Sequence, residues 1–135
     1  MKKIFILAIT LGLFAFGCGS SKNAAPEFKV YNNQVVIKAK VVEILPVKPD
    51  AKPPCNTHHC MAKVRILEVG ETGPGYQGKV KPGDLIRVKF YFTLDGNSKK
   101  KLKKLKVGDE FMAPMTVMPK PGMMYDFSVS IYKKL

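Results

Sequence analysis

The sequence predicts a mainly β domain, a five-stranded barrel with a short helical insert between its third and fourth strands. Five segments alternate apolar with polar residues, and stretches rich in Gly and Pro separate most of them. The first segment changes the phase of its alternation partway, which is typical of a bulged strand that bends into a barrel. With 135 residues, 46% of them hydrophobic, the chain fits one small domain with a packed core and excludes a multidomain enzyme.

The chain begins with a targeting segment. Met1–Lys3 is positive and Ile4–Gly17 is apolar, which is the layout of a secretory signal too short to span a bilayer comfortably. With Cys18 directly after it, the segment resembles a bacterial lipoprotein signal, in which the acylated cysteine becomes the first mature residue. Ala15-Phe16-Gly17 matches that signal only at the glycine, and the same three residues also suit ordinary cleavage that releases a soluble protein. We expect an exported lipoprotein anchored in a membrane of the cell envelope, with a freely secreted protein as the alternative.

The domain organisation follows from this assignment. Residues 1–17 form the signal peptide, residues 18–29 form a lipidated flexible tether rich in small polar residues, and residues 30–135 form the barrel domain.

The first two strands are expected within residues 34–47 and from about Cys60 to Val69. In the first strand, the residues expected on one face are Val35, Ile37, Ala39 and Val41. The apolar phase then slips to Val42 and Ile44, which predicts a β-bulge at that point. Ala62, Val64 and Ile66 alternate with polar residues in the second strand.

Three more strands and the helical insert complete the domain. The third strand is expected over residues 85–94, the fourth over Phe111–Met118 and the fifth over Asp126–Tyr132. On the third strand, the residues expected to face inward are Ile86, Val88, Phe90, Phe92 and Leu94. Ser98–Val107 is predicted to form one or two helical turns, capped by its serine, with Leu102 and Leu105 on one side.

This layout resembles the OB-like domains of small exported proteins, among them bacterial lipoproteins and netrin or metalloprotease-inhibitor modules. The phrases that carry the resemblance are Ala62–Val69, Pro82–Val88 and Leu105–Asp109, within roughly residues 34–132. It implies an OB-type barrel, with a β-sandwich as the competing architecture. The phrases specify strands and turns only, and the cysteine-rich amino terminus of the inhibitor modules is absent from this chain, so the resemblance does not imply protease inhibition.

The segment Cys55–Cys60 contains two cysteines and the adjacent pair His58 and His59. Thiolate and imidazole ligands suit zinc and copper, but adjacent histidines entering a strand point to opposite faces, and the spacing fits neither a closed zinc site nor a haem-attachment motif. If Cys18 carries lipid, Cys55 and Cys60 remain as an even pair in an oxidising compartment. We therefore predict a disulfide between them.

Methionines cluster near the fourth strand, at Met112, Met115, Met118, Met123 and Met124. Thioethers bind Cu(I), so a soft-metal site made with the two histidines is one interpretation. Strand periodicity sends Met112 and Met118 to one face and Met115 to the other, as residues that fill gaps in a core would lie. The candidate metal ligands are His58, His59, Met112, Met115 and Met118.

The third candidate site is a lysine-rich segment in a chain of net charge +13. Its six lysines in eight residues are Lys99, Lys100, Lys101, Lys103, Lys104 and Lys106. Such a field attracts anions, and Arg87, Lys89 and Tyr91 on the outer face of the third strand could add to it. Anionic lipid, an acidic glycan or an envelope protein suits an exported protein better than nucleic acid does. A solvated face that keeps the protein soluble is the simpler alternative.

Enzyme chemistry has little support in the sequence. The ten acids are scattered, no Ser-His-Asp or paired-carboxylate motif occurs, and the two histidines are adjacent. We expect a non-catalytic binding or structural module of the cell envelope that needs no cofactor. A copper-binding envelope protein that uses the Met, His and Cys residues is the alternative function.

Overall fold

The computed structural model describes residues 28–120 and 125–135, and only the backbone of Tyr125. The predicted signal peptide, Cys18, most of the predicted tether, and Met123 and Met124 lie outside the described residues. The six strands of the described part are β1 (Gln34–Ile44), β2 (Met61–Thr72), β3 (Leu85–Phe90), β4 (Glu110–Pro119), β5 (Tyr125–Val129) and β6 (Lys133–Lys134). No helix in this part is long and apolar enough to cross a membrane.

Five of these strands close into a barrel. The sheet order is β1-β2-β3-β5-β4, and β4 pairs back onto β1 along Gln34–Lys40. All of these pairings are antiparallel except the short parallel contact between β3 and β5. The two-residue β6 adds to the start of β4. The predicted all-β class and five-stranded barrel are confirmed, and the closed barrel is consistent with an OB-like fold.

The predicted bulge lies where the apolar phase of β1 slips. Val41 pairs with Val64, and Glu43 pairs with Lys63, so Val42 is the extra residue on β1. An extra residue bends a strand and increases its twist, which lets β1 pair with β2 on one side and β4 on the other. Val42 itself is displaced outward and 39% exposed.

The side chains that the alternating pattern predicted to face inward fill the interior of the barrel. The four inward residues predicted for β1 are fully buried, as are Ala62, Val64 and Ile66 of β2. Phe90, Phe111 and Tyr132 pack edge to face, with ring centroids 5.6 to 6.1 Å apart. The strands of residues 34–134 therefore enclose an apolar core of their own.

The predicted helical insert is not supported. Residues 96–106 contain no helix, and Asn97 and Leu102 instead form a small antiparallel bridge around a turn in which Lys101 has a φ of 55°. Leu102 and Leu105 are buried as expected, but their backbone groups bond across the fold, including Leu105 N to Leu94 O at 2.8 Å. Tertiary hydrogen bonds and burial of the two leucines have overridden a local preference that a helix of this length could not sustain alone.

The third strand is also shorter than predicted. It ends at Phe90 because Tyr91 and Phe92 form a turn, and Thr93 has a φ of 66°. Leu94 is buried as expected but reaches the core from the following loop. A positive φ is unusual for a β-branched residue, and here it turns the chain back over the end of the barrel.

The barrel has two ends of different composition. The tether end holds residues 28–33, the β2–β3 loop and the end of β4, fixed by hydrogen bonds such as Asn33 N to Pro74 O and Val117 N to Asn33 O, both 2.8 Å. The lysine end holds the β1–β2 loop, the lysine loop 91–109 and β6. The chain enters the barrel at the first end and carries its lysine-rich segment at the second.

Candidate binding site

The disulfide loop connects β1 to β2. Cys55 and Cys60 form the predicted disulfide, with an S–S distance of 2.07 Å. The buried Cys60 side of the loop is fixed to the barrel, because Phe90 N donates to Cys60 O at 2.7 Å and Leu94 N donates to His59 O at 2.8 Å. The disulfide loop and the lysine loop are therefore joined at the lysine end.

The two histidines have separate surroundings. The exposed His58 has its Nδ1 within 2.9 Å of Thr57 Oγ1. The half-buried His59 has its Nδ1 within 3.0 Å of Leu45 O, and its backbone N–H donates to Asp95 at 3.2 Å. His59 thus has one ring nitrogen engaged by the protein.

The five predicted metal ligands are not brought together. Met115 is fully buried inside the barrel, whereas Met112 and Met118 lie on the outer face of β4, as the alternation predicted. Six residues separate Met112 from Met118, so their α-carbons are about 20 Å apart along the strand. One ion cannot bind all three sulfurs at that spacing.

The lysine segment is exposed and held in place by its backbone. All six lysines are exposed, while Leu102 and Leu105 anchor the segment in the core. Tyr132 donates its hydroxyl hydrogen to Lys103 O at 2.6 Å, and Lys134 Nζ donates to Lys104 O at 3.3 Å. The lysine side chains are thus presented from a fixed loop.

Few acids neutralise these lysines. Lys104 Nζ lies 3.9 Å from Asp95, and Lys134 Nζ lies 2.8 Å from Asp109. The hydrogen bond from Lys134, followed by that from Lys106 N, lowers the pKa of Asp109. Within residues 28–120 and 125–135, the other lysines of the segment have no acid within 4.0 Å. The segment therefore keeps most of its positive charge for solvent or a partner.

A groove of about 710 Å³ crosses the outer surface where β3 and β5 meet. Arg87, Lys89 and Tyr91 line it from β3 and the turn that follows. The far side includes Met118 and the ion pair between Lys120 and Asp126, whose Nζ and Oδ1 atoms are 2.6 Å apart. We name it the β3–β5 groove; it lies beside the short parallel contact in which two residue pairs join these strands.

Cationic and aromatic groups in this groove are available for contact. In the described part of the chain, neither Arg87 nor Lys89 lies within 4.0 Å of an acid. Lys89 Nζ instead lies 5.4 Å from the ring centroid of Tyr91, which is 52% exposed. Asp126 already has Lys120 as its partner. The groove thus offers two uncompensated cations beside an exposed ring.

A second cavity, beside the disulfide, adjoins the β3–β5 groove. This loop pocket, of about 260 Å³, shares Met61 and Lys89 with the groove. Lys48, Lys52 and His58 also line it. The two cavities are therefore neighbours, and cationic side chains line both of them.

Only part of this surface could be predicted from the sequence. Arg87, Lys89 and Tyr91 were expected on the outer face of the third strand. The structure places Arg87 and Lys89 on that face of β3 and places Tyr91 in the turn after it. Met61, Lys48 and the end of β4 were not expected beside them. Their place depends on the parallel contact of β3 with β5 and on the path of the disulfide loop, for which a single sequence has no local signal.

Compared with family models, with curated proteins and with solved structures, the chain has no significant match. No cluster of three or more His, Cys, Asp or Glu side chains suited to a metal ion occurs in the described part of the chain.

Proposed function

We propose that this chain is a non-catalytic binding module of the cell envelope, anchored by Cys18, and that its β3–β5 groove holds an acidic oligosaccharide. The observation that carries the proposal is the pair of uncompensated cations, Arg87 and Lys89, beside the exposed ring of Tyr91. Barrels of this architecture often bind extended polymers along strands 2 and 3 and the adjoining loops.

The chemistry of the groove favours a ligand with both carboxylates and apolar faces. A guanidinium binds a carboxylate through two parallel hydrogen bonds, which makes Arg87 suited to a uronic acid group. Tyr91 and Met118 offer apolar surface against which a sugar ring can pack. The expected export of the protein also favours a glycan over nucleic acid.

The groove is tested by titration calorimetry with a galacturonic acid hexamer at physiological salt. Arg87→Gln and Tyr91→Ala should each weaken binding about tenfold, because each removes a contact worth roughly 1 to 3 kcal/mol. The matched controls are Arg65→Gln and Tyr31→Ala, which remove an exposed arginine and an exposed tyrosine outside the groove.

Equal weakening by the controls would show a general charge effect and refute the groove assignment. Tighter binding of an oligothymidylate of equal charge would show that the ligand class is nucleic acid. The Arg65→Gln control also shows whether one positive charge alone matters, since it changes the net charge as much as Arg87→Gln does.

The anchor is tested separately. A Cys18→Ala variant should lose partitioning into the detergent phase, because it lacks the thiol that carries the lipid. Unchanged partitioning would place the anchor elsewhere.

A further inference from the structure

The lysine end of the barrel combines positive charge with exposed apolar side chains. The lysine loop 91–109 and β6 together hold eight lysines and two acids. The two acids, Asp95 and Asp109, already have lysine partners at 3.9 and 2.8 Å. This end therefore carries a strong net positive field.

Two valines are exposed at this same end. Val107 is 61% exposed at the tip of the turn before β4, and Val42 is 39% exposed at the bulge of β1. Two backbone hydrogen bonds hold these positions side by side, from Gly108 N to Val41 O at 2.8 Å and from Val41 N to Asp109 O at 2.9 Å. Both valines thus present apolar surface to solvent at the end of the barrel that carries the lysines.

We infer that the lysine end docks onto the surface of an anionic bilayer, with the lysines at the headgroups and Val107 entering the interface. Each lysine close to anionic lipid increases partitioning about fivefold, and an apolar residue adds a contribution that does not depend on salt. A soluble polyanion would need the lysines but would gain nothing from Val107.

Only the identity of the bilayer rests on the proposed function, because it depends on the lipid anchor at Cys18. The lysine end and the tether end are about 23 Å apart along β1, measured over the seven residues from Gln34 to Val41. The ten residues from Cys18 to Phe28 can span at most about 36 Å. A lipid at Cys18 and the lysine end can thus contact the same bilayer, which makes the anchoring membrane the expected partner.

The test uses residues 19–135, which contain the closed barrel and its core, and sedimentation with vesicles of phosphatidylcholine containing one third phosphatidylglycerol. The double variant Lys99→Gln with Lys103→Gln should lower the partition coefficient about 30-fold. Each lysine contributes roughly 1 kcal/mol, and about 1.4 kcal/mol corresponds to a tenfold change. The matched control, Lys29→Gln with Lys81→Gln, removes the same charge at the tether end and should have little effect. Val107→Ser should lower partitioning about fivefold, and more salt should not remove that difference.

Equal losses of vesicle binding in the two double variants would overturn the inference, because binding would then depend on total charge and not on the lysine end. Binding to free polyphosphate that depends on Lys99 and Lys103, without vesicle binding or an effect of Val107→Ser, would make the partner a soluble polyanion and also overturn it. Arg87→Gln serves as the separating control, since it should weaken hexamer binding and leave vesicle binding intact. Melting temperatures check that each variant is folded.

Discussion

Replacing Tyr132 with Phe tests how the lysine loop is held on the barrel. The ring of Tyr132 lies against Phe90 and Phe111, with centroids 5.9 and 6.1 Å away, and its hydroxyl donates to Lys103 O at 2.6 Å. The change to Phe keeps the ring packing and removes one hydrogen bond between the core and the loop. Burial, together with the charge of Asp95, raises the pKa of Tyr132 to about 12.

The lost hydrogen bond and the lost ionisable hydroxyl change the stability of the variant in opposite directions, and the second matters only at high pH. Near pH 8, the variant should be about 1 kcal/mol less stable, the usual net contribution of one hydrogen bond. A tyrosine in the unfolded chain ionises near pH 10, whereas Tyr132 in the folded protein stays neutral to about 12. The unfolded state therefore loses its proton first, so the stability that Tyr132 contributes is complete below about pH 10 and is lost as the pH rises toward 12.

Worked from that shift, the wild type should lose about 2 kcal/mol from this group by about pH 11.5, and the Phe variant should lose none. The stability difference should shrink above about pH 10 and reverse near pH 11. The assay is urea unfolding followed by circular dichroism at a series of pH values for both proteins. Other tyrosines and the lysines titrate in both chains and cancel in the difference.

A stability difference between the two proteins that stays constant from about pH 8 to 11.5 would contradict the raised pKa of Tyr132. It would mean that the hydroxyl of Tyr132 ionises as readily in the folded protein as in the unfolded chain.

Three further stability predictions follow from the backbone and the disulfide. Lys101→Gly should stabilise the protein by about 1 kcal/mol in thermal unfolding, because Lys101 has a φ of 55° that glycine adopts without strain; a lower melting temperature would contradict this. Replacing both Cys55 and Cys60 with Ala should cost about 2 kcal/mol in urea unfolding, since the disulfide closes a loop with a sequence separation of only 5, and a loss as large as that of a core residue would be unexpected. Gly73→Ala should destabilise the tether end, because a Cβ there would overlap the carbonyl oxygen of Tyr31; amide hydrogen exchange should rise at residues 31–34 first, and unchanged exchange would argue against the overlap.

Alternation along the sequence was enough to locate five of the six strands in the described residues and most of their faces, although the third and fifth strands end earlier than predicted, and β6 was not expected. Alternation assigned Val35, Ile37, Ala39 and Val41 to the core, and all four are fully buried. The phase slip located the bulge at Val42. These features could be predicted because one buried face of a strand requires a period of two, and any extra residue breaks that period at its own position.

The disulfide could also be predicted from the sequence, because Cys55 and Cys60 are close in the chain and need only a loop to meet. The structure of residues 98–107 could not be predicted in the same way. Leucine spacing predicted a helix over Ser98–Val107, and the same leucines are buried from an irregular loop. The leucine spacing indicates which side chains are buried. It does not indicate that Leu105 N bonds to Leu94 O and that Lys103 O accepts from Tyr132, and these hydrogen bonds outside the segment replace those of a short helix.

The candidate binding surfaces were decided by tertiary structure. Arg87 and Lys89 lie on β3 and Tyr91 lies in the turn that follows, but the groove beside them also depends on the parallel contact between β3 and β5. The exposed Val107 joins Val42 only because the turn before β4 bonds to β1. Contacts between residues far apart in sequence depend on the order in which the strands close the barrel, and no local pattern in a single sequence specifies that order.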